Sequence, residues 1–307
     1  MRILFMGTPD FAVPCLQSLL DAGHDVAAVF TRQDKPKGRG YALAAPPVKQ
    51  LAVRYGIPVF QPATLRTPEA EQTVRGLAPE GIVVVAYGRI LPKEILRIPP
   101  FGCINVHASL LPKYRGAAPI QWAVINGEKI TGVTTMRMDE GIDTGDILFT
   151  ERTEIGPDET AGELSDRLSR MGADLIGKTL EALKNGTAVR IPQKGESCYA
   201  SMLSRDKSRV DWNRTAAEIH NLVRGLLPWP AAWTTLGGKR LKIYGSAQTA
   251  EPAGAAGKIS ARGGRFLVGC GSGTALELLE VQPEGGRRMS GGDYLRGHPP
   301  GEQAKLE

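Results

Sequence analysis

Asn105 and His107 stand two residues apart at the close of an apolar run, Gly102 to Val106. If that run is a strand, both side chains leave it on the same side, toward the carboxyl end where open α/β sheets place their ligands. An amide there can offer an N–H to an oxygen that gains negative charge, and an imidazole can donate a hydrogen bond or move a proton. Taken alone, the pair also fits an asparagine that caps a turn and a histidine satisfied by backbone, because polar residues at strand ends are common turn formers. Asp143 offers a carboxylate from the glycine-flanked stretch Met138 to Ile147. A carboxylate beside His107 would orient the ring and favour its protonated form. Asp139, Asp143 and Asp146 do not follow the ligand alternation of a calcium loop, so no metal is expected. The four cysteines, Cys15, Cys103, Cys198 and Cys270, make no C-x-x-C pair, which points away from zinc and disulfides and toward a reducing compartment.

The elements that must position these groups alternate. Ile3 to Met6, His24 to Phe30, Ile57 to Phe60, Gly81 to Ala86 and Gly102 to Val106 are apolar strand-like runs; Phe11 to Ala22, Pro47 to Tyr55 and Pro68 to Leu77 are helix-like. Such alternation predicts a Rossmann-like, doubly wound α/β domain with a mostly parallel sheet. Its first turn, Gly7-Thr8-Pro9-Asp10, lacks the G-x-G-x-x-G fingerprint, which weakens a dinucleotide reading. A long helix follows Glu159 and stops near Asn185-Gly186. Pro192 to Arg209 has no clear period and carries Lys194, Arg205, Lys207 and Arg209, so it reads as a connector with a positive face. After a helix near Ala216 to Leu226, short apolar runs separated by glycines predict a small C-terminal β-barrel of OB-like type. The expected division is residues 1–189, a linker over 190–208, and 209–307.

A chain of 307 residues is long enough for two cores, and its 42% hydrophobic and 23% charged content is that of an ordinary globular protein. No apolar run is long enough to span a bilayer, and Gly7 to Asp10 interrupts the first apolar run before a signal core could form, so a cytoplasmic protein is expected. The net charge of +6 would favour a polyanionic partner without proving one. The terminal Lys305-Leu306-Glu307 reads either as native sequence or as a cloning remnant, and the Leu-Glu ending favours the remnant.

Three long motifs narrow the function. Phe5-Met6-Gly7-Thr8-Pro9-Asp10-Phe11, the string Ser109 to Gly116, and Met138 to Ile147 together resemble the formyltransferases that use 10-formyltetrahydrofolate. The resemblance continues through Asp211-Trp212 and Pro228-Trp229-Pro230 and is closest to the branch that acts on methionyl-tRNA. It implies a catalytic trio of Asn105, His107 and Asp143, with direct passage of formyl between two nitrogens. It implies folate contacts from Ser109, Leu110, Leu111 and Pro112, faced by a second wall ending in Tyr87 and Gly88. It implies that the basic loop Asp34 to Tyr41 grips the acceptor end of tRNA through Arg39, that Lys207 and Arg209 add further contacts, and that the C-terminal domain binds tRNA. The implied partners are aminoacylated initiator tRNA and the folate donor, with no membrane and no obligate protein partner. The same trio also serves formyltransferases that act on small amines such as glycinamide ribonucleotide or a UDP-amino sugar. The discriminating feature is the second domain, whose cations Lys239, Arg240, Lys242, Lys258, Arg262, Arg265, Arg287 and Arg288 suit a nucleic-acid backbone. A non-catalytic RNA-binding protein with a relic first domain is the remaining alternative, and an intact trio argues against it.

Overall fold

Arg2–Gly7 (β1), Asp25–Phe30 (β2), Val59–Phe60 (β3), Gly81–Val85 (β4) and Cys103–His107 (β5) form a parallel array. Strands β4 and β5 are buried at every position, as expected for strands covered on both faces. Two further strands, Ile130–Arg137 (β6) and Asp146–Glu154 (β7), complete a seven-stranded sheet in the order β7-β6-β5-β4-β1-β2-β3. Both pair antiparallel, β6 with β5 and β7 with β6. The sheet is therefore mixed at one side, where the site residues lie, and parallel elsewhere. The computed structural model describes residues 1–37, 42–252, 254–301 and 304–307. Arg39, expected to grip the acceptor end, lies outside the described residues.

Helix boundaries follow local chemistry. Pro68–Leu77 starts with Pro at its first position and the Thr67 hydroxyl accepting from Ala70 N–H. The long helix is Ala161–Lys184, and Gly186 beyond it adopts φ +68°, the left-handed conformation that ends helices.

The chain forms two compact units: Met1–Pro119, Ile130–Glu154 and Ser165–Ser201 in one, and Ile120–Lys129, Ile155–Leu164 and Met202–Glu307 in the other. The second unit thus takes in two segments that interrupt the first unit in sequence. Two buried cation-type side chains on the helix Ala216–Gly225 hold one of them. Arg224 Nη1 donates to the Gly156 and Glu159 carbonyls at 3.0 and 2.9 Å, and the His220 ring meets the Pro157 carbonyl at 3.3 Å.

In the second unit Ala232–Leu236 (β8), Lys239–Thr249 (β9), Ile259–Arg262 (β10), Arg265–Gly269 (β11) and Ala275–Pro283 (β12) make an antiparallel sheet in the order β8-β9-β12-β11-β10. Its two edge strands are joined by the last residues of the chain. Leu306 bridges to Leu236, Lys305 bridges to Lys258, and the Glu307 amide and carbonyl pair with Thr235 at 3.0 and 3.1 Å. Leu306 is fully buried. Lys305 to Glu307 are therefore paired into the fold. A three-residue segment with one apolar side chain gives too short a pattern to be recognised, and only the gap between β8 and β10 shows what it fills.

Leu306→Ala should destabilise this unit by about 2–5 kcal/mol, the usual cost of truncating a buried leucine. The check is a urea melt, in which an unchanged midpoint would contradict the closure.

Candidate active site

Asn105 and His107 project from one face of β5, both nearly excluded from solvent. Because β6 runs antiparallel, its end at Arg137 lies beside Ile104, and Met138 N donates to the Cys103 carbonyl at 2.8 Å. The loop between β6 and β7 therefore leaves at the amino end of β5 and reaches back along the strand to deliver Asp143. One Asp143 oxygen accepts from Asn105 Nδ2 at 3.3 Å, and the other accepts from Gly116 N at 2.8 Å and lies 3.7 Å from His107 Nδ1. The structure thus brings the three predicted residues together, on the face of the strand's last three residues rather than beyond its end.

His107 is held on both sides. Its Nε2 lies 2.9 Å from the Tyr114 carbonyl, which can only accept, so Nε2 carries a proton and Nδ1 faces the carboxylate. The loop that brings Tyr114 and Gly116 is itself clamped. Thr134 on β6, fully buried, donates to the Ser109 carbonyl at 2.7 Å and accepts from Leu111 N at 3.2 Å. Ser109 Oγ donates to the Lys113 carbonyl at 2.7 Å. Gly116, at φ +108°, lies where a Cβ would meet the Ala200 carbonyl at 2.9 Å, so only glycine lets its amide approach Asp143.

Part of the segment expected as a connector with a positive face is the other half of this clamp. Tyr199–Ala200 pairs with Arg115–Gly116, Cys198 Sγ accepts from Tyr114 N at 3.2 Å, and the Cys198 carbonyl accepts from Arg115 N at 3.0 Å. Tyr114, Thr134, Gln193 and Cys198 were not singled out from sequence. Their bonds run largely to backbone groups, and such partners leave no spacing pattern.

The remaining candidates separate. Ser109 and Leu111 are buried, with the Ser109 hydroxyl spent internally, and Leu110 packs on Gly132. Tyr87 and Gly88 instead line a cavity of about 640 Å³ with Thr8, Pro9, Arg32 and Lys35. Neither Ser109 to Pro112 nor the trio lines that cavity. It opens beyond the ends of β1, β2 and β4, where the strand order reverses and open α/β sheets bind ligands. The start of the basic loop is tied to its rim: Lys49 Nζ holds both Asp34 oxygens at 2.9 and 2.8 Å and keeps that carboxyl below its ordinary range. Lys207 and Arg209 are exposed and belong to the second unit. Lys207 Nζ lies 6.0 Å from the Trp122 ring, and Arg209 and Arg240 lie 5.7 and 4.4 Å from the Trp233 ring.

Residues 1–180 match the family described as formyl transferase, and residues 202–299 match that of the formyl transferase C-terminal domain. The chain belongs to the formyltransferase family. Among its relatives, methionyl-tRNA formyltransferase of Trichlorobacter lovleyi is 52% identical over 300 residues, covering 97% of this chain and 94% of the relative. That of Geotalea daltonii is 50% identical over 308 residues, covering 100% of this chain and 98% of the relative. In fold, this formyltransferase is similar to the N-formyltransferase from Helicobacter canadensis, solved with folinic acid and dTDP-3-aminofucose (TM-score 0.68, 22% identity, 91% of this chain and 98% of that one). It is also similar to methionyl-tRNA formyltransferase from Clostridium thermocellum (TM-score 0.56, 20% identity, 81% and 94%).

The thiols of this formyltransferase divide sharply. Burial pushes Cys15 and Cys103 up to about 12 and Cys270 up to about 11, so they stay protonated and shielded, whereas Cys198 is exposed. At about pH 7 a maleimide should label one thiol of the native protein, mapped to Cys198, with the other three appearing only in denaturant. Fast labelling of a second native thiol would contradict this arrangement.

Proposed function

We propose that this chain transfers the formyl group of 10-formyltetrahydrofolate to the α-amino group of methionyl-tRNA, in the cytoplasm, to give the formylated initiator. The end-to-end similarity to methionyl-tRNA formyltransferases, through both units, carries the choice of acceptor. The second unit supports it in chemical terms, because a small amine makes no use of exposed cations seated on an indole, such as Arg209 and Arg240 at Trp233. For the donor, the wall at the end of β4 has unmet polar demand. Among the described residues, the Tyr87 hydroxyl and Arg89 Nε are buried without a hydrogen-bond partner, and a pterin carries the heteroatoms to meet them.

The donor supplies an electrophilic formyl carbon. Asn105 keeps a second amide N–H free of Asp143 and offers it to the formyl oxygen as that oxygen gains charge. His107, with its Nε2 proton pinned to the Tyr114 carbonyl, has Nδ1 as the nitrogen that takes up a proton, and Asp143 stabilises the resulting cation. The His107–Asp143 pair thus takes the proton that the attacking amine loses and returns it to N10 of the donor as the bond between N10 and the formyl carbon breaks. The acceptor end of the tRNA is assigned to the basic loop that carries Arg39, and Lys207 and Arg209 to further phosphate contacts.

Given 10-formyltetrahydrofolate and a choice of methionyl-tRNA, glycinamide ribonucleotide or a UDP-amino sugar, the protein should formylate the first; transfer only to a small amine would sink the acceptor assignment. Asn105→Ala and Asp143→Ala should each lower kcat by about 10²-fold or more while the far-UV spectrum stays native. KM for methionyl-tRNA should also climb steeply between about 50 and 200 mM salt, by roughly tenfold or more, as released counterions compete for phosphates. A flat salt profile would remove the electrostatic part.

A further inference from the structure

Gln193 was read from sequence as part of a structureless connector, yet it touches both loops that enclose the trio. Its Oε1 accepts from Arg115 Nε and Nη2 at 3.0 and 2.6 Å. Its Nε2 donates to the Asp143 and Gly145 carbonyls at 2.9 and 2.8 Å. A carboxamide has two donors and an oxygen with two lone pairs, so all four of its bonds are used, and its two ends face different loops. On one side is Arg115, whose neighbour Gly116 donates to the Asp143 carboxylate. On the other is the backbone of Asp143 itself.

That backbone has reason to need holding. Asp143 adopts φ +53°, in the left-handed region that side-chain-bearing residues seldom occupy. Two residues on, Gly145 is so close to β6 that a Cβ would meet the Arg137 carbonyl at 1.9 Å. Past the turn, Arg190 pairs with Asp146 at 2.8 Å, and Ile191 and Ile147 exchange amide bonds at 2.8 and 2.9 Å. These contacts secure the strand after the loop, and among the described residues Gln193 is the side chain that bonds the carbonyls of residues 143 and 145.

We propose that Gln193 is a positioning residue for formyl transfer. Its amide N–H groups set where the Asp143 carboxylate stands relative to His107 and Asn105, and its oxygen couples that setting to the Arg115–Gly116 loop. The proposal rests on the reading of the trio given above. It assigns the catalytic part to the donor side of the carboxamide, which separates it from a role as a mere anchor for Arg115. Glutamate at this position keeps the acceptor for Arg115 and lacks the donors; methionine keeps the length and lacks both.

Gln193→Glu and Gln193→Met are compared with wild type and with Asp143→Ala in steady-state formylation of methionyl-tRNA, with thermal melts alongside. Both Gln193 variants should lose about tenfold or more in kcat, the scale expected when a reacting group is slightly misplaced, with KM for both substrates within about twofold and melting temperature within a few degrees. The inference is overturned if Gln193→Glu restores wild-type kcat, if Gln193→Met leaves kcat unchanged, or if any loss only tracks a fall in melting temperature. Should Asp143→Ala keep normal kcat, the trio reading fails and takes this inference with it. An inactive Asp143→Ala beside fully active Gln193 variants would overturn the inference alone.

Discussion

Only about 15% of the Asp143 side chain meets solvent, and a carboxylate so far withdrawn from water is tolerable only where donors replace the water. That constraint organises the first unit. One donor is the Gly116 amide, which requires the chain after β5 to turn back on itself and to have no side chain at the point of closest approach. Another is Asn105, which fixes the amide over the same spot. His107 completes the set only because its far nitrogen is pinned by a backbone carbonyl, so the ring cannot swing away from the carboxylate. The clamp formed by Thr134, Cys198 and the Tyr199–Ala200 pairing exists to keep that turn in place.

The reversed strand β6 decides from which direction the carboxylate arrives. A parallel strand would have sent its following loop past the carboxyl end of β5. An antiparallel one sends it from the amino end, so Asp143 lies across the strand's face and the site is roofed by its own loop. The cavity lined by Arg32, Lys35, Tyr87 and Gly88 lies instead at the reversal of strand order beside β1, the position favoured by parallel sheets. A mixed sheet thus brings together a side-chain cluster on a strand face and a cavity beyond strand ends.

Net charge overstates what the second unit has free for a polyanion. Arg265 is bound by Glu251 and Glu277, and Arg288 lies over the Tyr244 ring within 4.0 Å of Glu280, so both are used inside the fold. Arg209 and Arg240 flank an indole on the surface, which orients them while leaving their charge toward solvent. The distinction depends on which carboxylates come near in space, and a count of lysines and arginines does not contain it.

The local chemistry of the chain was enough to predict the parallel strands, the helix Pro68–Leu77 with its proline start, the stop of the long helix near Gly186, and a β-rich second half, because each depends on neighbours within a few residues. The motif strings were enough to single out Asn105, His107 and Asp143, since residue type and order survive without knowledge of geometry. Tertiary structure alone decided that β6 runs backwards, that Leu306 fills a gap between two edge strands, and that Gln193 joins two loops. In each of these the partner is tens of residues away and the bonds run largely to backbone groups, which every residue carries and no sequence pattern can mark.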